Sequence, residues 1–128
     1  MLTVVCAIIY VGNNILATQR SRLMRLPLKW EFPGGKLEEG ESEIECIKRE
    51  IKEELNIEIR IIKRLSPSIH DYSDFTIHLV PYVAKYESGE IILMEHATFK
   101  LFEKHELSLL DWAEADLPII RELLNPQI

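Results

Sequence analysis

Three glutamates, Glu50, Glu53 and Glu54, stand at helical spacing in an unbroken run of residues from Ser42 to Leu55. At about 100° per residue they share an arc of roughly 100°, beside the apolar arc and not opposite it. Like charges so spaced repel by a few tenths of a kcal/mol per pair. They also lie in the C-terminal half of the run, where a helix dipole disfavours anions. Divalent cations between the carboxylates would remove both penalties. Hard oxygen ligands with incomplete coordination suit Mg²⁺, with Mn²⁺ as a substitute, and phosphate oxygens and waters would fill the open positions. The plain alternative is a solvated acidic face neutralised by Arg49 and Lys52. Pro33-Gly34-Gly35-Lys36 tells against it, because a glycine-rich turn just before the helix lets backbone approach a metal or phosphate closely.

The elements that must position these residues read as follows. Leu2–Tyr10 is apolar and β-branched, a buried central strand. Gly12-Asn13-Asn14 is a turn, and Ile15–Gln19 returns as its hairpin partner. Trp30-Glu31-Phe32 is a short alternating segment stopped by the glycine loop. Ser42 and Glu45 form a capping-box signature, and Ile44, Ile47, Ile51 and Leu55 make one apolar face. Asn56 follows, suited to the left-handed conformation past a helix end. Ile57–Leu65 and Phe75–Tyr86 read as strands, the second carrying Pro81 and so placed at an edge or bulge. Ala97–Phe102 is a short strand. Asp116–Leu124 reads as a closing helix with Asp116 as N-cap and Leu117, Ile120, Leu123 and Leu124 buried. Strands dominate the middle and two helices stand apart, an α+β class with a mixed sheet.

A length of 128 residues fits one domain, 1–128. A hydrophobic fraction of 47% is that of a globular chain and too high for a disordered one. Val4–Tyr10 is too short to cross a membrane and lacks the flanks of a signal peptide. Two cysteines, Cys6 and Cys46, make no disulfide framework and point to a reducing, cytoplasmic setting. A formal net charge of −6 argues against a nucleic-acid coat protein. It does not exclude phosphate ligands, because a metal ion neutralises carboxylates and phosphates together.

Gly35, Glu41, Arg49-Glu50-Ile51, Glu53-Glu54 and Asn56-Ile57 resemble the Nudix box, G-x5-E-x7-R-E-U-x-E-E-x-G-U with U aliphatic. The spacing is unbroken, and the one departure is Asn56 in place of Gly. Asn also reaches positive φ, so the helix end survives. Trp30–Lys36 and Ala115-Asp116-Leu117-Pro118 resemble the MutT-like branch, and the second pattern also its CTP-pyrophosphohydrolase-like members.

The resemblance implies an α/β/α sandwich and Mg²⁺-dependent hydrolysis of a nucleoside triphosphate to monophosphate and pyrophosphate. Glu50, Glu53 and Glu54 would hold metal with the Gly34 carbonyl. Glu53 is favoured as general base, with Glu50 next. Arg49 would orient these carboxylates, and Glu41 would brace the loop on the helix. A further metal glutamate comes from a distant loop, where Glu95 is the best-placed residue and Glu90 the substitute. Gln19, Arg20, Lys36, Phe32 and Asp116 fall where substrate contacts lie. An ionised Asp116 offers acceptors only, which suits the cytosine N4 amine. A protonated one would imitate the Asn of relatives that prefer oxidised guanine, so an 8-oxo-dGTP diphosphatase is the alternative. A Nudix-fold sensor without turnover is the rival from another class, disfavoured by the complete glutamate set. Partners reduce to a nucleoside triphosphate, without nucleic-acid polymer or membrane, for a monomer or homodimer.

Among other residues, His70, His78, His96 and His105 have no zinc-site spacing. Cys46 reads as a small packed residue, and Trp30 and Trp112 as core.

Overall fold

A computed structural model describes residues 1–125. Strand β1 (Leu2–Val11) is its axis, with a continuous apolar run buried on both faces, as expected of a strand covered on two sides. It pairs in parallel with β7 (Thr76–Ser88) from Leu2↔Ile77 to Tyr10↔Lys85. Its other edge is shared. β2 (Asn14–Gln19) takes the far end as a hairpin, and β4 (Gly34–Lys36) takes the near end, Val4↔Lys36 through Cys6↔Gly34. Between them the Ala7 N–H donates to the Pro33 carbonyl at 2.9 Å. The sheet therefore forks at Ala7, and the glycine turn lies in the fork. β3 (Trp30–Glu31) and β8 (Thr98–Phe102) both pair with β2.

A second fork opens on the outer edge of β7. There β6 (Ser68–Asp71) pairs with its start and β5 (Glu58–Arg64) with its end. Pro81 sits at this seam, its carbonyl accepting from the Leu65 N–H at 2.9 Å. Pro81 is thus in a central strand and not at a sheet edge. Its missing N–H faces the gap where the neighbour changes, so no ladder bond is lost.

Helix α1 (Glu43–Leu55) begins with the expected reciprocal cap: Ser42 Oγ accepts from the Glu45 N–H and the Glu45 carboxylate from the Ser42 N–H. Cys46, Ile47, Ile51 and Leu55 are buried against Val5, Ala7, Ile9 and Val80 on one sheet face. Ile44, expected on that face, is 42% exposed, and Cys46 takes the inward place. Helix α2 (Leu117–Leu124) covers the other face, where Cys6, Ile8, Ile15 and Ala17 meet Trp112, Ile119 and Ile120. The result is the α/β/α sandwich around a mixed sheet.

Two expectations for α2 fail. Ile119 is buried and Leu117 is half-exposed, because a 3₁₀ turn (Glu114–Asp116) leads directly into the helix and rotates its first residues. Asp116 stands at the N-cap position in helical conformation, and its side chain makes no capping bond. Strand β6 and the 3₁₀ segment Lys104–Leu109 carry no expected counterpart, and β4 was expected to be loop. No helix among the described residues is long and apolar enough to cross a membrane.

Asn56 closes α1 at φ 64°, its N–H donating to the Lys52 carbonyl and its Nδ2 to the Glu90 carbonyl at 3.2 Å. Asn56→Ala should cost about 1–2 kcal/mol, the penalty of a Cβ in the left-handed region. Asn56→Gly should stay within about 0.5 kcal/mol of the parent. Urea unfolding of both variants measures the difference.

Candidate active site

The fork in the sheet and the C-terminal half of α1 face each other, and the charged residues gather there. A Cβ on Gly34 would run into the Val5 carbonyl and the Cys6 Cα, so only glycine lets β4 enter the fork. A Cβ on Gly35 would occupy the place of the Glu50 carboxyl. The glycine turn is therefore shaped around a carboxylate of the helix that follows it.

Arg49 organises the acidic face. Its Nε donates to Glu41 Oε2 at 2.6 Å and its Nη2 to Glu41 Oε1 at 3.0 Å. Nη1 serves Glu50 Oε1 at 2.8 Å and Glu53 Oε2 at 3.2 Å, and Nη2 also reaches the Lys36 carbonyl. The guanidinium holds the Glu41 carboxyl down at about 2, and Glu41 also accepts from the Glu38 N–H. Glu50 is pushed up, first by burial and then by the Glu53 and Glu38 charges, with Arg49 opposing. Cys46 Sγ lies against the Lys36 carbonyl at 3.4 Å, and burial carries its thiol up to about 12. It is a packed residue and not a nucleophile.

Glu54 lies deepest. Its Oε2 is buried with no hydrogen-bond partner. Burial raises its carboxyl to about 9, with further upward pushes from Glu50, Glu31 and Glu95. An orphaned, desolvated carboxylate oxygen among other carboxylates, beside a glycine-lined backbone, is a donor set that a hard divalent cation fits. In this conformation Glu53 is 59% exposed on Arg49. Among the described residues no three acidic, His or Cys side chains already converge as a metal cage.

A cavity of about 450 Å³ runs from this cluster into the sheet. Glu54, Gly34, Gly35 and Lys36 line one end, with Arg20 beside Glu31. Phe32, Cys6, Leu79 and Asp116 line the inner part. Asp116 is buried, its Oδ2 accepting from the Phe32 N–H at 3.0 Å. Burial, then the Glu31 charge, pushes its carboxyl well above the usual range. Phe32 stacks on Trp112 at 4.8 Å between centroids, and Trp112 donates to the Leu107 carbonyl, so Trp112 is core.

Of the expected substrate residues, Arg20, Phe32, Lys36 and Asp116 share this cavity. Gln19 does not line it, and its amide donates to the Leu28 carbonyl. Glu95 is exposed but near enough to Glu54 to raise its carboxyl, whereas Glu90 sits at the Asn56 turn.

Several residues here escape sequence reasoning. Glu31 is bound by Arg20 and His96. Tyr72 accepts from the Ala115 N–H at 2.8 Å and stacks on Phe75. Arg25 lies 4.4 Å from the Phe75 ring centroid and pairs with Asp74, and all three line the cavity. Tyr72 directly follows strand β6, whose four residues, Ser68–Asp71, are too few and too polar to mark a strand in the sequence. Glu31 alternates with Trp30 and Phe32 and was legible as a strand residue without its partners.

Glu54 makes the metal-free fold pH-sensitive. The folded state keeps a proton that the unfolded carboxyl releases near 4.5, its ordinary value. Stability from this group is complete below about pH 4.5 and is lost as pH rises toward about 9. Glu54→Gln should therefore stabilise the metal-free chain at pH 8 by about 1–3 kcal/mol, the scale of a buried unsatisfied group. The gain should shrink at pH 5, and the variant should lose the stabilisation that added Mg²⁺ gives. Thermal unfolding at both pH values, with EDTA and with Mg²⁺, measures this.

Comparisons with known proteins agree with the geometry. The family model described as NUDIX domain matches residues 1–123. The chain is 31% identical over 124 residues to CTP pyrophosphohydrolase of Escherichia coli K12, covering 97% of this chain and 92% of that protein. It is 32% identical over 121 residues to a putative 8-oxo-dGTP diphosphatase 2 of Mycobacterium tuberculosis H37Rv, covering 94% and 86%. The solution structure of a MutT protein from methicillin-resistant Staphylococcus aureus 252 superposes with a TM-score of 0.78 at 36% identity, covering 98% and 97%. That of the E. coli ORF135 protein superposes at 0.84 with 28% identity, covering 100% and 95%. The glutamate helix, the glycine turn in the forked sheet and these likenesses lead to one conclusion: the chain belongs to the Nudix family and is a hydrolase of its MutT-like branch.

Proposed function

We propose that the chain cleaves nucleoside triphosphates to monophosphate and pyrophosphate with Mg²⁺, or Mn²⁺ in its place, and prefers cytosine nucleotides. The observation that carries this is one cavity with two ends: carboxylates, Gly34, Gly35 and Lys36 at the mouth, and a buried Asp116 beside Phe32 within. Glu50, Glu53, Glu54, the Gly34 carbonyl and Glu95 would hold the cation. When bound, it supplies Lewis-acid polarisation of phosphoryl oxygens and lowers the pKa of a bound water. Lys36 and Arg20 take phosphate charge at the mouth, and the apolar inner wall excludes water from the base. Glu53, the more exposed carboxylate, accepts the proton of the attacking water, and Arg49 fixes its orientation through the 3.2 Å bond.

Base preference rests on Asp116. An ionised Asp116 would offer acceptors only, and burial pushes this carboxyl toward its neutral form. The Phe32 N–H engages Oδ2, which makes Oδ2 the carbonyl-like oxygen and leaves the hydroxyl on Oδ1. An acceptor beside a donor complements the N4 amine and N3 of cytosine. The relative named CTP pyrophosphohydrolase supports this reading. The same neutral acid imitates an Asn amide, which favours oxidised guanine as the second reading, in line with the relatives named as 8-oxo-dGTP diphosphatases.

Product analysis of the purified chain with Mg²⁺ against CTP, dCTP, UTP, GTP and 8-oxo-dGTP tests the proposal. CTP or dCTP should turn over faster than UTP or GTP; Asp116→Asn, which keeps an acceptor beside a donor, should retain that preference, and Asp116→Leu, which has neither, should lose it by about 1–3 kcal/mol. Equal rates on CTP and UTP, unchanged in that variant, reduce Asp116 to a fold residue. Glu53→Gln should lower kcat by at least about 100-fold with the melting temperature preserved. Near-parental turnover in this variant removes Glu53 as the base.

A further inference from the structure

His96 is the buried histidine of the chain's described residues, its side chain only 1% exposed. Its Nε2 donates to Glu31 Oε2 at 2.8 Å, while its Nδ1 is buried without a partner. An apolar side chain would fill the same space without an orphaned nitrogen. The charge-assisted Nε2 bond offsets that penalty and shows what the ring is used for. Glu31 is itself held on its far side, Oε1 accepting from Arg20 Nη1 at 2.8 Å. It is a fixed post, not a side chain free to follow the imidazole.

The segment 91–97 that carries His96 has no regular structure. Its backbone is hung on the end of α1, where the Ile92 and Met94 N–H groups donate to the Leu55 and Glu54 carbonyls at 3.0 and 3.1 Å. It is tied again at the end of β2, where the Ala97 N–H donates to the Gln19 carbonyl at 2.9 Å. Glu95 lies between these ties, adjacent to His96 and within electrostatic reach of Glu54.

We infer that His96 is a positioning residue: by docking segment 91–97 against Glu31 it places Glu95 toward Glu54 and so sets the affinity of the site for a divalent cation. The inference rests on the proposed role of Glu95 as a cation ligand. Nothing in it requires His96 to touch the cation or the substrate.

Mn²⁺ titrated into the nucleotide-free chain, with free Mn²⁺ read by electron paramagnetic resonance, tests the inference without reference to turnover. His96→Leu fills the space but donates nothing to Glu31, and it should weaken Mn²⁺ binding by about tenfold, the scale seen when a group orienting a metal ligand is removed. His96→Gln retains an N–H at comparable reach and should recover most of the affinity. His96→Asn, too short to reach Glu31, replaces the Leu variant if that one fails to fold, with the same expected loss. A Gln variant no better than Leu or Asn assigns the loss to packing and overturns the inference. Unchanged affinity in His96→Leu beside weakened binding in Glu95→Gln overturns it alone. Unchanged affinity in both overturns it together with the reading of Glu95.

Discussion

One guanidinium makes the acidic face of this fold possible. Glu41, Glu50 and Glu53 would repel one another across the start of α1 and its outer side, and Arg49 bonds to all three. It also reaches the Lys36 carbonyl, so the glycine turn and the helix share an anchor. A lysine would hold charge here without the planar fork that serves several carboxylates at once. Glu54 lies outside this clamp, and the contrast decides its character: Glu41 is held near 2 and Glu54 is driven to about 9. One guanidinium thus keeps Glu41 ionised just ahead of the helix, while Glu54 on the helix is left for a cation to ionise.

The sheet's forks do for the backbone what Arg49 does for the charges. β1 changes partner at Ala7, and the opening admits the Gly34-Gly35 turn. A continuous ladder there would leave no place for backbone to approach a carboxylate. Cβ atoms at either glycine would close the opening, one against β1 and one against Glu50. The cost of this design is local: one buried carboxylate oxygen without a partner, held by a core packed on both sheet faces.

The elements most legible in the sequence are those in which local signals agree. The Ser42–Glu45 cap, the apolar stripe and the Asn56 stop all mark α1, and the continuous apolar run of β1 could only be a strand covered twice. The α+β class with a mixed sheet follows from these elements, and the sandwich from the family resemblance. Legibility fails where long-range contacts override local pattern. Pro81 reads as an edge or bulge residue because its missing N–H is visible in the sequence and the seam it faces is not. Asp116 reads as a cap because Asp favours that place. The Phe32 N–H, distant in sequence, instead claims its side chain. The glutamates of the site are legible by spacing, whereas Glu31 and His96 matter through a contact between β3 and a segment with no periodicity.

The two free cysteines lie on opposite sides of the sheet, Cys6 in the core under α2 and Cys46 in the core under α1. Burial pushes both thiols upward, so neither is a ready thiolate in the folded chain. Alkylation in native buffer must therefore wait for a local opening. The rate at Cys46 clocks separation of β4 from α1, and the rate at Cys6 clocks opening of the cavity wall that it shares with Phe32 and Asp116. The molecule carries two internal timers, one for each face of the sandwich, and a nucleotide or cation that tightens one face will slow one timer and leave the other running.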